Sequence, residues 1–134
     1  MIDGKARFAA DIDGLREFCR RGGLVHKVNR QIGVLALFHR LLDRDAPMFV
    51  RVVDWSVVIE IAMPFSVRPG RRDQVAARMA VLGQGWELRG NTIVYASRVY
   101  GLGGLSDQAM AAALDDVRDR AAAAARELEG LSQT

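Results

Sequence analysis

Cysteine and histidine are scarce in this sequence, which has one cysteine and two histidines among its 134 residues. A single cysteine cannot form a disulfide within the chain. A structural zinc site needs four Cys or His ligands, which Cys19, His26 and His39 cannot supply. We therefore expect no metal and no cofactor, and we expect both histidines to be structural or surface residues.

Recognisable sets of catalytic groups are also missing. Cys19 lies on the apolar stripe of a predicted helix, where a buried thiol behaves as a small hydrophobe. No serine has the G-x-S-x-G context of a nucleophile elbow. The solvated face of a helix explains Asp115, Asp116 and Asp119. The sequence thus predicts a protein that is not an enzyme, and it leaves open a small enzyme whose pocket the sequence does not reveal.

Long apolar runs are missing too. The longest, at residues 32–38, is far short of the roughly 20 residues that a membrane-spanning helix needs. Residues 1–5 lack the apolar core of a signal peptide, so we expect a cytoplasmic protein with no membrane partner. The length predicts a single domain over residues 1–134, with frayed ends at about 1–5 and 131–134.

Lysine is rare among the basic residues: 17 arginines and two lysines give a net charge of +3 and a pI of about 9.6. The arginine excess indicates either recognition of carboxylates and phosphates or the codon usage of a GC-rich genome. Residues 68–100 carry six basic and two acidic groups, whereas residues 101–134 carry three and six. An acidic helix beside a basic sheet would cancel most of the field, which argues against a nucleic-acid partner.

Apolar periodicity predicts three helices. The first covers residues 8–21, with Phe8 on its apolar stripe, and the second covers residues 71–82. The third begins after Ser106, a good N-cap residue, and runs to about Glu129.

The apolar stripe of the third helix is sustained at alternating spacings of four and three residues. Its members are Met110, Leu114, Val117, Ala121, Ala124, Leu128 and Leu131. Such a stripe either packs on the sheet or pairs with a second copy across a dimer.

Segments rich in Val, Ile and aromatic residues predict two β-hairpins. One covers residues 48–63, where Arg51 and Glu60 are isolated charges that can pair across the strands on the solvent side. The other covers residues 86–100, with Gly90 and Asn91 as a two-residue primed turn.

The stretch at residues 24–46 is ambiguous. Residues 24–28 are typical of a short strand, and residues 32–38 fit either a buried strand or part of a buried helix. Pro64 is expected to break the chain after the first hairpin. Together the elements predict an α+β fold: an antiparallel sheet of about 4–5 strands packed with an N-terminal helix, a middle helix and a long C-terminal helix.

Candidate contact residues are few. Arg68, Arg71 and Arg72 form the densest basic spot, which either contacts phosphate or an acidic peptide or is simply a solvated corner. Trp55, at a hairpin tip, either anchors a partner or folds back onto the core. The glycine-rich residues 101–104 complete neither a dinucleotide-binding motif nor a P-loop, and we interpret them as a hinge.

Three segments carry a family resemblance. V-V-I-E-I at residues 57–61 leads through a proline turn into a short helix. The second hairpin reads W-E-L-R-G-N-T-I-V-Y at residues 86–95, and G-L-G-G-L-S at 101–106 forms a small-residue bend before a long final helix. Over about 80 residues the chain resembles the YbjN family, whose fold is similar to that of type III secretion chaperones.

The resemblance implies a non-enzymatic domain, often dimeric, that binds other proteins or modulates a regulatory process. It carries over no catalytic residue. The chain is basic where secretion chaperones look acidic, a difference that bears against an effector-chaperone role. We predict a protein-interaction or chaperone-like regulatory module that forms a homodimer and binds another protein. The alternative is anion or nucleic-acid binding by an arginine-rich face composed of Arg68, Arg71, Arg72, Arg89 and Arg98.

Overall fold

This computed structural model describes residues 7–8, 10–54, 56–101 and 104–133. These residues form ten β-strands and three α-helices, joined by turns and loops. The helices are α1 (Ile12–Arg21), α2 (Arg72–Leu82, preceded by a 3₁₀ turn at Pro69–Arg71) and α3 (Asp107–Gln133). The strands are β1 (Arg7–Phe8), β2 (His26–Asn29), β3 (Val34–Leu37), β4 (Arg40–Leu41), β5 (Arg44–Asp45), β6 (Met48–Val53), β7 (Ser56–Ser66), β8 (Trp86–Arg89), β9 (Thr92–Tyr100) and β10 (Leu105–Ser106).

One antiparallel sheet of six strands has the order β2-β3-β6-β7-β9-β8. Two small ladders, β1-β10 and β4-β5, lie outside it. The α+β class, the antiparallel sheet and the three helices are therefore as predicted. The main sheet has six strands rather than 4–5, because the ambiguous stretch at residues 24–46 supplies two of them.

The ambiguous stretch forms strands and turns, not helix. The strand predicted at residues 24–28 lies slightly later, as β2, and β3 occupies the centre of the apolar run at 32–38. Gly33 between them has a φ of 64°, a left-handed conformation that glycine adopts without strain. Leu42 and Asp43 are also left-handed, with φ of 53° and 60°, which suits the primed turn of the small β4-β5 hairpin.

The first helix begins four residues later than predicted. Phe8 belongs to β1, which pairs with Leu105 of β10, so its spacing from the helical stripe was misleading. Asp11 caps α1: its Oδ1 accepts the N–H of Gly14 at 2.7 Å. Phe8 still joins the core, with its ring centroid 5.3 Å from that of Phe18.

Both predicted hairpins of the main sheet form. In the second, Arg89 pairs with Thr92 around the two-residue turn, and Gly90 has the left-handed φ of 60° that a primed turn requires. In the first, the break expected at Pro64 is wrong, because β7 continues to Ser66. The register with β9 shifts beyond Ala62, and an irregularity of this kind accommodates a residue without an N–H.

The last helix is capped as predicted but is longer. Ser106 Oγ accepts the N–H of Ala109 at 3.0 Å. The helix continues past Glu129 to residue 133, so the turn expected to fray at 131–133 is helical. Ser132 is buried, and its carbonyl accepts the N–H of Arg68 at 3.1 Å, which attaches the end of α3 to the segment after β7. Residues 1–5 and 134 lie outside the described residues.

All three helices pack on one face of the sheet. Their buried side chains join a single cluster with the strand residues that point to that face, among them Leu35, Met48, Ile59, Ile61 and Ile93. The predicted stripe of α3 is inside this cluster, except that Leu131 is only partly buried. Of the two alternatives for the stripe, the structure shows packing on the sheet. Burying each large apolar side chain stabilises the fold by roughly 1.5–3 kcal/mol.

Candidate interaction surface

The face of the sheet opposite the helices is bare in the described part of the chain. Strand β6 shows the alternation: Met48 and Val50 are buried under the helices, whereas Phe49 and Arg51 point the other way and are exposed. We call this second surface the open face. Its residues include Val25, Lys27, Asn29, Val34, Ala36, Phe38, Phe49, Arg51, Val58, Glu60, Ala62, Glu87, Arg89, Val94, Ala96, Arg98 and Tyr100.

A charged network lies at the centre of the open face. Arg51 Nη2 and Arg89 Nη1 each lie 2.6 Å from one oxygen of Glu60, and Arg89 Nη2 lies 3.1 Å from Glu87. The predicted Arg51–Glu60 pair is therefore confirmed, although it is diagonal, since Arg51 is opposite Val58 in the register. Arg89 reaches Glu60 across the intervening strand β9.

The network sets the charge state of Glu60, whose side chain is only 13% exposed. Burial acts to raise the pKa of Glu60, but the hydrogen bonds and charges of Arg89 and Arg51 outweigh it and leave the pKa below its ordinary value. The carboxylate is therefore ionised at neutral pH, and it neutralises the middle of the face.

One corner of the open face is apolar and exposed. Val25 is 76% exposed and Phe38 is 66% exposed, large fractions for side chains of this kind. They border a shallow groove of about 290 Å³. Its lining residues are Val25, His26, Lys27, Ala36, Leu37, Phe38 and Pro47. Lys27 is the groove's cation, and it makes no ion pair with any described residue.

A second corner combines an aromatic ring with a cation. Tyr100 at the end of β9 is 77% exposed. The guanidinium carbon of Arg98 lies 6.0 Å from the centroid of its ring, at the limit of a cation–π contact. No carboxylate within the described ranges pairs with Arg98. The open face thus has two exposed corners, each with a large apolar or aromatic group beside a cation that no described carboxylate neutralises.

The basic spot proposed from the sequence is not on this face. Arg68, Arg71 and Arg72 lie at the 3₁₀ turn and at the start of α2. Arg72 donates to the carbonyl of Gly90 and, at 3.1 Å, to Asn91 Oδ1, so it attaches the second hairpin to α2. Trp55, the proposed aromatic anchor, lies outside the described residues.

The side chains considered as catalytic or metal-binding residues are Cys19, His26 and His39. Cys19 is buried in the core, and burial raises its pKa to about 11, which keeps the thiol protonated at neutral pH. His26 Nδ1 is 2.8 Å from the carbonyl oxygen of Leu24. Burial, with the charge of Arg118, lowers the pKa of His39. No cluster of three or more metal-ligating side chains occurs in the residues that the structure describes.

One buried ion pair was not predicted from the sequence. Asp107, fully buried at the start of α3, accepts from Arg21 Nε at 3.0 Å and from Arg21 Nη2 at 2.6 Å. The two residues are 86 positions apart, so no sequence spacing could pair them. This bidentate contact joins the C-terminal end of α1 to the N-terminal end of α3, and it raises the pKa of Arg21.

The fold is a six-stranded antiparallel sheet with a long helix packed on one face. A solved protein structure has a similar fold. The chain is similar to the crystal structure of YbjN from E. coli, a proposed transcription regulator, with a TM-score of 0.70 and 14% identity. The match covers 92% of this chain and 94% of that one, so the predicted YbjN-like fold is confirmed. No family model and no curated protein matches the chain.

None of the described helices has the length and apolarity needed to cross a membrane.

Proposed function

We propose that this protein is a non-enzymatic interaction module with a regulatory role, and that the open face of its sheet is the part that meets a partner. The observation that carries the proposal is the exposure of Val25, Phe38 and Tyr100 on one uncovered sheet face. Exposed apolar groups with neighbouring charges are typical of protein contact sites. The likeness to a proposed transcription regulator supports a regulatory context.

The site chemistry supports the non-enzymatic part of this proposal. The buried Cys19 thiol has a raised pKa, and neither histidine lies in a described group of ligating residues. A homodimer also belongs to the proposal. Because the α3 stripe is buried within its own subunit, two copies would meet through another surface.

Reciprocal co-purification from the native host tests the proposal. The tagged protein is expected to recover a partner at a fixed ratio, and the tagged partner is expected to recover this protein. Light scattering over a wide concentration range is expected to show a dimer. A protein that recovers no partner in either direction would contradict the module, and a strict monomer would remove the dimer.

Anion or nucleic-acid binding is the second candidate function. Arg68 and Arg98 make no ion pair with described residues, which leaves positive charge available. Against this, Arg51 and Arg89 are already paired with Glu60. Binding through phosphates weakens steeply with salt. Retention on heparin, DNA or RNA that falls with salt would favour this function, and its absence would reject it.

A further inference from the structure

The charges of the open face are unevenly satisfied. Four of them, Arg51, Glu60, Glu87 and Arg89, form the central network and neutralise one another. The two that no described carboxylate neutralises are both positive: Lys27, beside the apolar groove, and Arg98, beside Tyr100. A partner that covers both corners therefore needs carboxylates at two places and apolar side chains near them.

We infer that the open face binds an acidic, apolar-rich linear segment of another protein, which lies across the strands from the groove at Lys27 to the corner at Arg98. This inference rests on the proposed interaction function and specifies its partner. Lys27 on β2 and Arg98 on β9 are four strand spacings apart, or about 19 Å. About six extended residues or about 13 helical residues span that distance.

The apolar part of such a segment has a defined place. One row of residues runs across the open face from strand to strand. In it, Phe49 of β6 lies between Ala36 of β3 and Glu60 of β7, and Ala96 of β9 follows Glu60. Ala36, the small residue beside the exposed Phe49, also lines the apolar groove, so a large apolar side chain of a partner has room there. Phe38 borders the same groove, next to Lys27.

A second copy of the chain fits this face poorly. The charges of this face that no described carboxylate neutralises, Lys27 and Arg98, are both positive, so the face offers a second copy no complementary charge. Two stacked copies would also bring four such cations together. Pairing through the free edge of β2 is opposed by its lysine, since an edge-strand lysine discourages such pairing.

The experiment selects random 12-residue peptides, displayed on phage, on the immobilised full chain. Selected peptides are expected to be enriched in Asp, Glu and large apolar residues. Their affinity, measured by fluorescence anisotropy, is expected to fall about tenfold in Phe38→Ser and about three- to tenfold in Lys27→Glu and Arg98→Glu, and to decrease with salt.

Two control variants lie off the open face. Val81→Ser removes an equally exposed apolar side chain of α2, and Arg126→Glu reverses an exposed charge of α3. Both are expected to leave peptide affinity within about twofold of the original. Circular dichroism and thermal melting of every variant verify that each is folded before its affinity is compared.

Selected peptides without acidic enrichment would overturn the inference, and so would peptides that bind Phe38→Ser and Lys27→Glu as tightly as they bind the original chain. A dimer that Phe38→Ser converts to monomer would also overturn it, since a second copy would then cover the face. A partner recovered from the host that binds both variants unchanged would reject this site and leave the interaction function intact. Failure of that function would appear separately, as recovery of no partner at all.

Discussion

The two faces of the six-stranded sheet are made by the same strands and differ in what covers them. On the helix side, Leu35, Met48 and Ile59 are completely buried. On the open side, Phe49 and Phe38 remain exposed, although they lie one residue from buried neighbours. The helices therefore bury one face of the sheet, and the exposed apolar side chains of the other face lie outside the core cluster.

The side chains of the open face are not all exposed to solvent. Val58 and Val94 point to the open side and yet are buried, but they do not belong to the core cluster beneath the helices. Their neighbours in the sheet include the long side chains of Arg51, Arg98 and Glu87. The stems of such side chains cover apolar surface while their charged ends stay in water.

The largest effect is expected on the covered face. Leu114→Ala removes a buried side chain between α3 and the sheet, and we expect it to lower the free energy of unfolding by about 2–5 kcal/mol. Urea denaturation monitored by circular dichroism measures it. Val81→Ala, at an exposed site, serves as the control with a change within about 0.5 kcal/mol. Equal effects of the two would mean that the stripe does not pack as described.

The buried ion pair at the end of α3 comes next. Asp107→Asn is expected to lower the free energy of unfolding by about 1–3 kcal/mol, because it removes the negative charge that pairs with Arg21. The loss is limited because Arg21 is 27% exposed and keeps some hydration. A double-mutant cycle with Arg21→Gln measures the coupling. Glu17→Gln, at an exposed partner of Arg21, is the matched control. A coupling near zero would show that the contact adds no stability.

The central network of the open face is expected to contribute less, and in a pH-dependent way. Because the folded pKa of Glu60 is below its ordinary value of 4.5, its stabilisation is present above about pH 4.5 and is lost as the pH falls through the folded pKa. Glu60→Gln is expected to cost about 1 kcal/mol at pH 7 and almost nothing in acid. Unfolding curves of both proteins across this range measure the difference. A difference in the free energy of unfolding that persists at low pH would mean that it arises from packing and not from charge. Glu87→Gln provides the exposed control.

The smallest effect is expected at the apolar corner. Phe38→Ser should change the free energy of unfolding by no more than about 0.5 kcal/mol, since the ring is mostly exposed already. Thermal unfolding in the absence of any partner measures it. A loss above about 1.5 kcal/mol would place this residue in the core and abolish the distinction between the faces.

Much of the fold could be predicted because its signals are local. Gly90 and Asn91 specify a primed turn by their own conformational preferences, and Ser106 specifies a helix start by its hydroxyl. The helix at the N-terminus was misplaced because Phe8 happens to continue the apolar spacing. Asp11, three residues before Gly14, was the usable signal for the correct start.

The open face could be predicted only in part, for a physical reason. The charges of Arg51 and Glu60 indicated the solvent side of the first hairpin, but residues 57–59 of β7 are all apolar and show no alternation of their own. Arg89 meets Glu60 only because β9 lies between β8 and β7, which is a property of strand order. The extent of the face that the helices leave uncovered depends on how the helices pack, which neither periodicity nor composition specifies.

The position of α3 in the chain has a consequence for biosynthesis. Every strand of the six-stranded sheet lies within residues 26–100, and the helix that covers its apolar face comes afterwards. On the ribosome, the sheet residues emerge before their cover, and the contact between Ser132 and Arg68 forms only when the last turn of the helix has left the exit tunnel. Until α3 packs, α1 and α2 alone cover that face, and the apolar strand residues that α3 buries stay exposed to the contacts that make incompletely folded chains prone to aggregate.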